Sequence, residues 1–167
     1  TGTVNLYEAI VASGLKPIVV VCSSSEVYGN LGAFQEKMKI PETQSFAPCS
    51  PYAITKVTQE YLAQYYWLVH NIPYVITRAF GYINPLRHDL FATSIARQIV
   101  QYECGKLNQI KFGNLAVIRT FCDARDIAEA YWLAAVRGIP GQSYNIGTET
   151  PTPLTALLER LLGRSKV

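Results

Sequence analysis

The sequence predicts an α/β fold built on a mostly parallel sheet. Two apolar runs rich in β-branched residues, PIVVVC at 17–22 and YVITRAF at 74–80, predict strands of the kind that a parallel sheet buries on both faces. Segments with helical spacing of apolar residues alternate with these strands along the chain. With 49% hydrophobic and 16% charged residues over 167 positions, the chain has enough apolar surface for a core of its own.

The first half of the chain predicts helix, strand, helix and strand in that order. A helix over residues 4–13 precedes the first strand, and the polar loop PETQSFAPCSP follows that strand. Ser50 is a favourable N-cap and Pro51 suits the first position of a helix, so the second helix is expected from there to His70. Asn71, two residues before a proline, ends this helix ahead of the second strand.

The second half of the chain predicts shorter elements that continue the alternation. They are a helix near 91–103, a strand at 109–112, a helix at 123–136, a strand at SYNIG and a terminal helix at PLTALLERLLG. Strands that alternate with helices in this way indicate an α/β chain with a parallel sheet.

Composition and charge exclude several classes of partner. The formal net charge of +3 arises from 15 basic and 12 acidic residues spread along the chain, without a basic run that would suggest nucleic acid. The four cysteines and two histidines show no metal-ligand spacing, so we expect reduced thiols and no metal. The sequence contains no signal peptide and no apolar run of about 20 residues. We therefore expect a cytoplasmic protein that binds neither nucleic acid nor a membrane.

A tyrosine and a lysine four residues apart open the second helix. Tyr52 and Lys56 lie on one helical face, where the ammonium stabilises the phenolate and prepares the tyrosine for acid/base chemistry near neutral pH. The spacing alone is weak evidence, because 11 tyrosines and 7 lysines in 167 residues give about half of one such pair by chance. A surface pair without function is the alternative.

Three serines and a glutamate directly follow the first predicted strand. In an open parallel sheet, ligands bind beyond the carboxyl ends of the strands, which is where SSSE at 23–26 would lie. A serine hydroxyl at that place can hydrogen-bond a substrate oxygen while the tyrosine moves a proton. Ordinary turn chemistry is the alternative for these serines.

Five motifs occur in a recognisable order over essentially the whole chain: GTVNLYEA, SSSEVYG, SPYAITK, TRAFGYINP and RTFCDARDIAEAYW. In this order they resemble the nucleotide-sugar branch of the extended short-chain dehydrogenase/reductase superfamily. FGNL followed by IRTFCDARD is most similar to the GDP-mannose 4,6-dehydratases and the GDP-4-keto-6-deoxymannose reductases. The resemblance implies part of a doubly wound, Rossmann-like sheet at 1–88. It implies mainly a small α/β substrate-binding region at 89–167, with some segments returning to the sheet.

The resemblance also implies roles for five residues in chemistry at C4 of a GDP-hexose. Ser24 would bind the 4-oxygen of the sugar, Tyr52 would be the acid/base, and Lys56 would tune the tyrosine and hold the nicotinamide ribose of NAD or NADP. Ser25 and Glu26 match the dehydratase pattern, in which the glutamate removes the C5 proton before water leaves from C6. A solvated carboxylate is the alternative for Glu26, since decarboxylases of the branch share it and reductases vary there.

Further positions are assigned to cofactor and substrate by the same resemblance. Arg119 stands where the family binds the substrate diphosphate, a role that suits the planar guanidinium. Arg125 is a second candidate, and an ion pair at a helix start is its alternative. Phe80, at the end of the second strand, is assigned to the cofactor, and Gly81 and Asn84 in the loop that follows are assigned to the substrate.

Three departures from the family pattern bear on these assignments. Gly81 occupies the position of a substrate-binding asparagine. Ser94 and Ile95 stand near the places of an Arg-Lys pair of the dehydratases, which favours a reductase. None of the 11 glycines forms the G-x-x-G-x-x-G turn that holds the cofactor pyrophosphate. We therefore expect an N-terminally truncated chain that binds NAD or NADP weakly or not at all on its own.

Two functions from different classes follow from these observations. One is an NAD(P)-dependent reductase, dehydratase or epimerase, and the other is a non-catalytic remnant that acts as a dimerising module. A homodimer is expected because the helices at 4–13 and 51–70 match the pair that forms a four-helix interface in this superfamily. The second helix ends with several large side chains, for which the alternative is an ordinary core position: Tyr61, Tyr65, Tyr66, Trp67 and Leu68.

Overall fold

A computed structural model describes residues 2–30 and 39–166. Within these residues the chain forms two compact units, the first from 2–80 and 125–146 and the second from 81–124 and 147–166. The assignment of residues 1–88 to cofactor binding and of 89–167 mainly to substrate binding stays a prediction.

Three strands form the parallel sheet of the first unit: β1 (Val19–Ser24), β2 (Tyr74–Ala79) and β6 (Ser143–Ile146), in the order β1-β2-β6. The pairing of β1 with β2 covers all six residues of each strand. The sheet confirms the parallel α/β class that the sequence predicts. Five of the six residues of β2 are buried, but Cys22 in β1 is exposed, so the expectation of burial on both faces is wrong for β1.

Two helices supply the apolar core of the first unit. Helix α2 (Pro51–His70) packs against β1 and β2, and α1 (Gly2–Ser13) packs against α2. Helix α4 (Ala124–Arg137) precedes β6 in the chain. The core between α1, α2 and the sheet is a cluster of seven buried residues: Tyr7, Val21, Ala63, Tyr66, Ile72, Tyr74 and Ile76.

The ends of α2 follow from local chemistry, as the sequence predicts. The Ser50 side chain accepts a hydrogen bond from the backbone N–H of Ala53 at 3.0 Å, and Pro51 occupies the first helical position. Asn71 adopts a left-handed conformation, with φ of 55°, and its backbone N–H donates to the carbonyl of Trp67. These contacts satisfy backbone groups that the helix itself leaves unpaired.

The second unit is held together by two helices. The helices α3 (Phe91–Glu103) and α5 (Leu154–Leu162) pack through three buried residues, Ile95, Ile99 and Leu158. Two short ladders join its loops: β3 (Tyr82–Ile83) pairs in parallel with β5 (Cys122–Asp123), and β4 (Ile118–Arg119) pairs antiparallel with β7 (Thr152–Pro153).

The predicted strand at 109–112 is wrong. The Gln98 side chain of α3 accepts from the backbone N–H of Lys111 at 2.8 Å and donates to the Lys111 carbonyl at 3.0 Å. Ile110 packs against the α3–α5 cluster. The glutamine amide therefore takes the place of a neighbouring strand at Lys111, whose backbone N–H and C=O are both paired without a ladder.

Candidate functional site

The carboxyl end of β1 presents Ser24 to the site. Ser24 is the last residue of the strand and caps the short 3-10 helix Ser25–Tyr28, because its Oγ accepts from the backbone N–H of Glu26 at 3.2 Å. A hydroxyl that accepts from the backbone keeps its own proton for donation to another oxygen. The turn chemistry considered for these serines is therefore present, and it orients the hydroxyl that the resemblance assigns to substrate.

The first turns of α2 bring Tyr52 and Lys56 together. The Lys56 Nζ lies 5.7 Å from the centroid of the Tyr52 ring and donates to the backbone carbonyl of Cys22 at 2.7 Å. Successive residues of a strand direct their backbone N–H and C=O groups to alternate edges. The Val19 N–H donates to Pro73 on the β2 side, so the backbone groups of Cys22, three residues further on, face the opposite edge of β1. The lysine is thus fastened to the edge of β1 that pairs with no described strand, with the half-exposed Tyr52 ring beside it.

Glu26 is linked to the start of the same helix. Its carboxylate accepts a hydrogen bond from the Ser50 hydroxyl at 3.2 Å, and Ser50 is the N-cap of α2. A carboxylate near a helix N-terminus is electrostatically favourable. Glu26 is exposed, so the contact leaves it accessible to solvent, and Ser25 beside it is partly buried.

Phe80 follows β2 and stays with the sheet. Its backbone N–H donates to the carbonyl of Ile146 at 2.8 Å, and its ring centroid lies 6.4 Å from that of Tyr28. The aromatic side chain is partly buried at the carboxyl end of the strands.

Three of the assigned substrate residues belong to the second unit. A Cβ on Gly81 would lie 2.5 Å from the carbonyl oxygen of Thr120, so the close backbone approach excludes a side chain in place of the family's asparagine. The Asn84 Oδ1 accepts from the backbone N–H of Leu86 at 2.9 Å, which makes it part of a local turn. Arg119, in β4, is exposed.

Arg125 belongs to the first unit. It is the second residue of α4 and is exposed.

A buried polar cluster next to the site was missed by the sequence analysis. Arg78 in β2 forms a two-pronged ion pair with Glu60 in α2, with Nε–Oε1 at 3.0 Å and Nη2–Oε2 at 2.7 Å. Ser23 donates its hydroxyl to the same glutamate. Two signals were available: Glu60 follows Lys56 by one helical turn, and an arginine interrupts the apolar run YVITRAF.

The cluster extends from Arg78 to the loop before α2. The Nη1 atom of Arg78 donates to the hydroxyl of Tyr28 and to the carbonyl of Glu42, each at 2.8 Å. Tyr28 in turn donates to Asn145 Oδ1 at 2.7 Å. Burial acts to lower the pKa of Arg78, but the hydrogen bonds to Glu60 and Tyr28 outweigh burial and the pKa is raised. Burial raises the pKa of Tyr28 even though Arg78 opposes the shift, so the phenol remains a neutral donor.

The described residues contain no group of three or more His, Cys, Asp or Glu side chains placed to hold a metal ion. None of the helices in the described part of the chain is long and apolar enough to cross a bilayer.

The family follows from a match over almost the whole sequence. The family described as GDP-mannose 4,6 dehydratase matches residues 1–164. The chain belongs to the GDP-mannose 4,6 dehydratase family. This membership confirms the predicted nucleotide-sugar branch.

Two proteins whose names refer to GDP-sugars are similar to this chain in sequence. The GDP-6-deoxy-D-mannose reductase of Pseudomonas aeruginosa is 30% identical over 168 residues, which cover 99% of this chain and 55% of that protein. The GDP-mannose 4,6 dehydratase of Cricetulus griseus is 32% identical over 135 residues, which cover 79% of this chain and 35% of that protein. The chain therefore spans about half the length, or less, of these two relatives.

Solved structures agree with the fold. The structure of RMD from Pseudomonas aeruginosa complexed with NADPH superposes with a TM-score of 0.88 at 28% identity, over 95% of this chain and 54% of that one. The dTDP-glucose 4,6-dehydratase of Bacillus anthracis in complex with NAD superposes with a TM-score of 0.83 at 23% identity, over 99% of this chain and 52% of that one. The second similarity shows the fold alone. Together they confirm the Rossmann-like class predicted from the sequence.

Proposed function

We propose that this chain carries the acid/base centre of an NAD(P)-dependent enzyme that acts at C4 of a nucleotide-linked hexose, with a GDP-hexose favoured. The observation that carries the proposal is the attachment of Lys56 to the Cys22 carbonyl at 2.7 Å, which holds its ammonium 5.7 Å from the Tyr52 ring. Open parallel sheets bind ligands beyond the carboxyl ends of their strands, which supports a site at the end of β1 next to this pair. The names of the two relatives that act on GDP-sugars support the choice of substrate class.

Tyr52 is the proton-transfer group of the proposed reaction. Its side chain is 49% exposed, so a substrate hydroxyl can reach the phenol. In oxidation the phenolate takes the proton of the C4 hydroxyl, and in reduction the phenol returns a proton to the C4 oxygen. The Lys56 ammonium lies 5.7 Å from the centroid of the Tyr52 ring, beside the group that exchanges the proton. NAD(P), when bound, supplies the hydride acceptor or donor.

Ser24 and Glu26, at the carboxyl end of β1, would act on the same sugar. The Ser24 hydroxyl, oriented by the Glu26 N–H, donates to the 4-oxygen of the sugar. In a dehydratase, Glu26 would remove the C5 proton that a 4-ketone has made acidic, and water would leave from C6. The bond from Ser50 holds that carboxylate beside the start of α2.

The residues present fit one end of the cofactor. Lys56 has three N–H donors, and in the described part of the chain one of them is used by the Cys22 carbonyl, which leaves donors for the hydroxyls of a ribose. Phe80 supplies an apolar surface at the carboxyl end of β2. The glycine-rich turn that would hold the pyrophosphate does not occur in these 167 residues, so we expect weak binding or none by this chain alone.

The proposal is tested in a hybrid in which this chain replaces the matching part of the Pseudomonas aeruginosa reductase. We expect the hybrid to oxidise NADPH with a GDP-4-keto-6-deoxyhexose, and Tyr52→Phe to lower kcat about a thousandfold with little change in KM. A folded hybrid that turns over neither this substrate nor GDP-mannose would contradict the proposed function. Normal turnover of the Tyr52→Phe variant would remove Tyr52 from the mechanism.

Glu26→Gln in the same hybrid separates a dehydratase from a reductase. Loss of water elimination from GDP-mannose identifies a dehydratase, because the neutral amide cannot take the C5 proton. A reductase should be only mildly affected, since its reaction needs no proton from C5. The readout is the 4-keto-6-deoxy product in the first case and NADPH oxidation in the second.

A second candidate, a dimerising module without catalysis, is favoured by the exposed apolar stripe of α2. The stripe has the spacing of one helical face and consists of Ile54, Tyr61, Tyr65 and Leu68. Two other residues assigned to this interface lie elsewhere: Tyr66 is buried in the core and Trp67 is partly buried against it. A homodimer is proposed under both functions, and a monomer in light scattering at micromolar concentration would contradict it.

A further inference from the structure

We infer that Glu60 and Arg78 are a positioning pair that sets the register of α2 on β1. This register places Tyr52 opposite Ser24 and the 3-10 helix Ser25–Tyr28, here called the Ser24 turn. This inference rests on the proposed function, because the placement matters only if Tyr52 transfers a proton. Neither residue is among the groups assigned to substrate, cofactor or catalysis above.

The pair belongs to a series of attachments along one face of α2. Residues 52, 56 and 60 follow at intervals of four and lie on the same side of the helix. Lys56 is bonded to the carbonyl of Cys22, and Glu60 accepts the hydroxyl of the next residue, Ser23. Two successive turns of the helix are therefore fastened to two successive residues of the strand. A slip of one residue would move the helix by about 1.5 Å and turn it by about 100°, so it would break both contacts.

The burial of this cluster argues for a role in position. Glu60 is 3% exposed, and Arg78 and Ser23 are each 5% exposed. The desolvation of two buried charges offsets much of their attraction, and apolar residues of similar volume often give equal or greater stability. Directional bonds, unlike apolar contacts, hold only one arrangement, so a buried ion pair serves better to specify register than to stabilise.

Arg78 links the same register to the loop before α2. Its Nη1 donates to Tyr28, which ends the 3-10 helix that follows Ser24, and to the carbonyl of Glu42. The backbone N–H of Asn145 donates to the Glu42 carboxylate at 2.9 Å, so the loop is also tied to β6. One guanidinium therefore contacts α2 through Glu60 and the Ser24 turn through Tyr28, and it fixes these two segments relative to each other.

The test replaces the charged cluster with apolar residues. In Ser23→Ala/Glu60→Leu/Arg78→Met no buried charge is left unpaired, so we expect the urea midpoint of unfolding to be retained. In the hybrid enzyme we expect kcat to fall about 100-fold with little change in KM, since a displacement of 1 Å is enough for such a loss. If the cluster served stability alone, a triple variant with an unchanged urea midpoint would also have an unchanged kcat. That result would overturn the inference.

A milder variant and a matched control keep the test decisive if the triple variant does not fold. Ser23→Ala removes one hydroxyl that donates to Glu60, so it should lower the urea midpoint slightly and kcat about tenfold. Glu103→Gln removes an exposed carboxylate that contacts only Ser165 and Lys166 among the described residues, and it should leave kcat unchanged. Equal kcat for Ser23→Ala and Glu103→Gln would count against the inference.

A readout without turnover separates this inference from the proposed function. In a crystal structure of the 167-residue chain with Ser23→Ala/Glu60→Leu/Arg78→Met, or with Ser23→Ala alone, we expect the 2.7 Å bond from Lys56 to the Cys22 carbonyl to be lost. Retention of that bond would overturn the inference. If the hybrid without substitutions folds but is inactive, the proposed function is wrong. The position of Lys56 in the crystal structures would still test whether Glu60 and Arg78 set the register of α2.

Discussion

The two halves of α2 are attached to the rest of the first unit by different kinds of contact. The amino-terminal half uses directional polar bonds: Lys56 donates to a backbone carbonyl of β1, and Glu60 accepts from Ser23 and Arg78. The carboxyl-terminal half uses aromatic packing. The Tyr66 ring stacks on Tyr7 with centroids 4.5 Å apart and planes 6° apart.

The difference separates stability from placement within one helix. Aromatic burial removes a large apolar area from water and tolerates small shifts, so it contributes much of the free energy of folding. Polar bonds contribute little net stability but hold one geometry. Tyr52 and Lys56 lie in the half that directional hydrogen bonds attach. A proton-transfer group needs such a fixed geometry.

The largest expected effect is on the aromatic half. Tyr66→Ala removes a ring that is 2% exposed and should lower the free energy of unfolding by about 4 kcal/mol, because it opens a cavity in the core. Urea denaturation measures the loss. Leu68→Ala, at a site two residues on that is 70% exposed, is the control and should change stability by less than about 0.5 kcal/mol. Similar losses at the two sites would show that burial of the Tyr66 ring is not the cause of the effect.

A smaller effect is expected at alkaline pH, again in the aromatic half. Burial raises the pKa of Tyr7 to about 12, and the hydrogen bond to Glu8, followed by burial, raises the pKa of Tyr66 to about 12. The unfolded values lie near 10, so this contribution is complete below about pH 10 and is lost as the pH rises towards 12. The measurement is the urea midpoint between pH 8 and 11.5.

Phenylalanine variants at these two positions are the controls for the alkaline loss. Tyr7→Phe removes a hydroxyl that has no hydrogen-bond partner among the described residues, so it should not lower stability at neutral pH. Its urea midpoint should also fall less steeply above pH 10 than that of the unaltered chain, since phenylalanine does not ionise. Parallel curves for the unaltered chain, Tyr7→Phe and Tyr66→Phe would rule out these rings as the cause.

The smallest expected effect is on the polar half. Ser50→Ala removes the N-cap of α2 and the donor to Glu26, and it should destabilise the chain by about 1 kcal/mol. Ser50→Thr keeps a capping hydroxyl and should recover most of that loss. The free energy of unfolding, measured in urea, checks both variants. A loss at Ser50 as large as that of Tyr66→Ala would show that the polar half also carries a major part of the stability.

Structure that has a local cause could be predicted from the sequence. The bounds of α2 follow from a serine cap, a proline and an asparagine within one or two residues of its ends, and the pairing of Tyr52 with Lys56 follows from the helical repeat. The strand predicted at 109–112 does not form, because a short segment does not reveal whether the partner of its backbone is a strand or, as at Lys111, the Gln98 side chain.

The sequence by itself determined the parallel α/β class, the ends of the main helices and the face of α2 that carries Tyr52 and Lys56. Only the tertiary structure decided that Glu60 meets Arg78, 18 positions along the chain, and that Gly81 approaches the Thr120 carbonyl too closely for a side chain. The reason is physical: propensity and periodicity describe how a segment relates to its own neighbours. The partner of a buried charge or the closeness of two backbones depends on how distant segments pack, which no local pattern encodes.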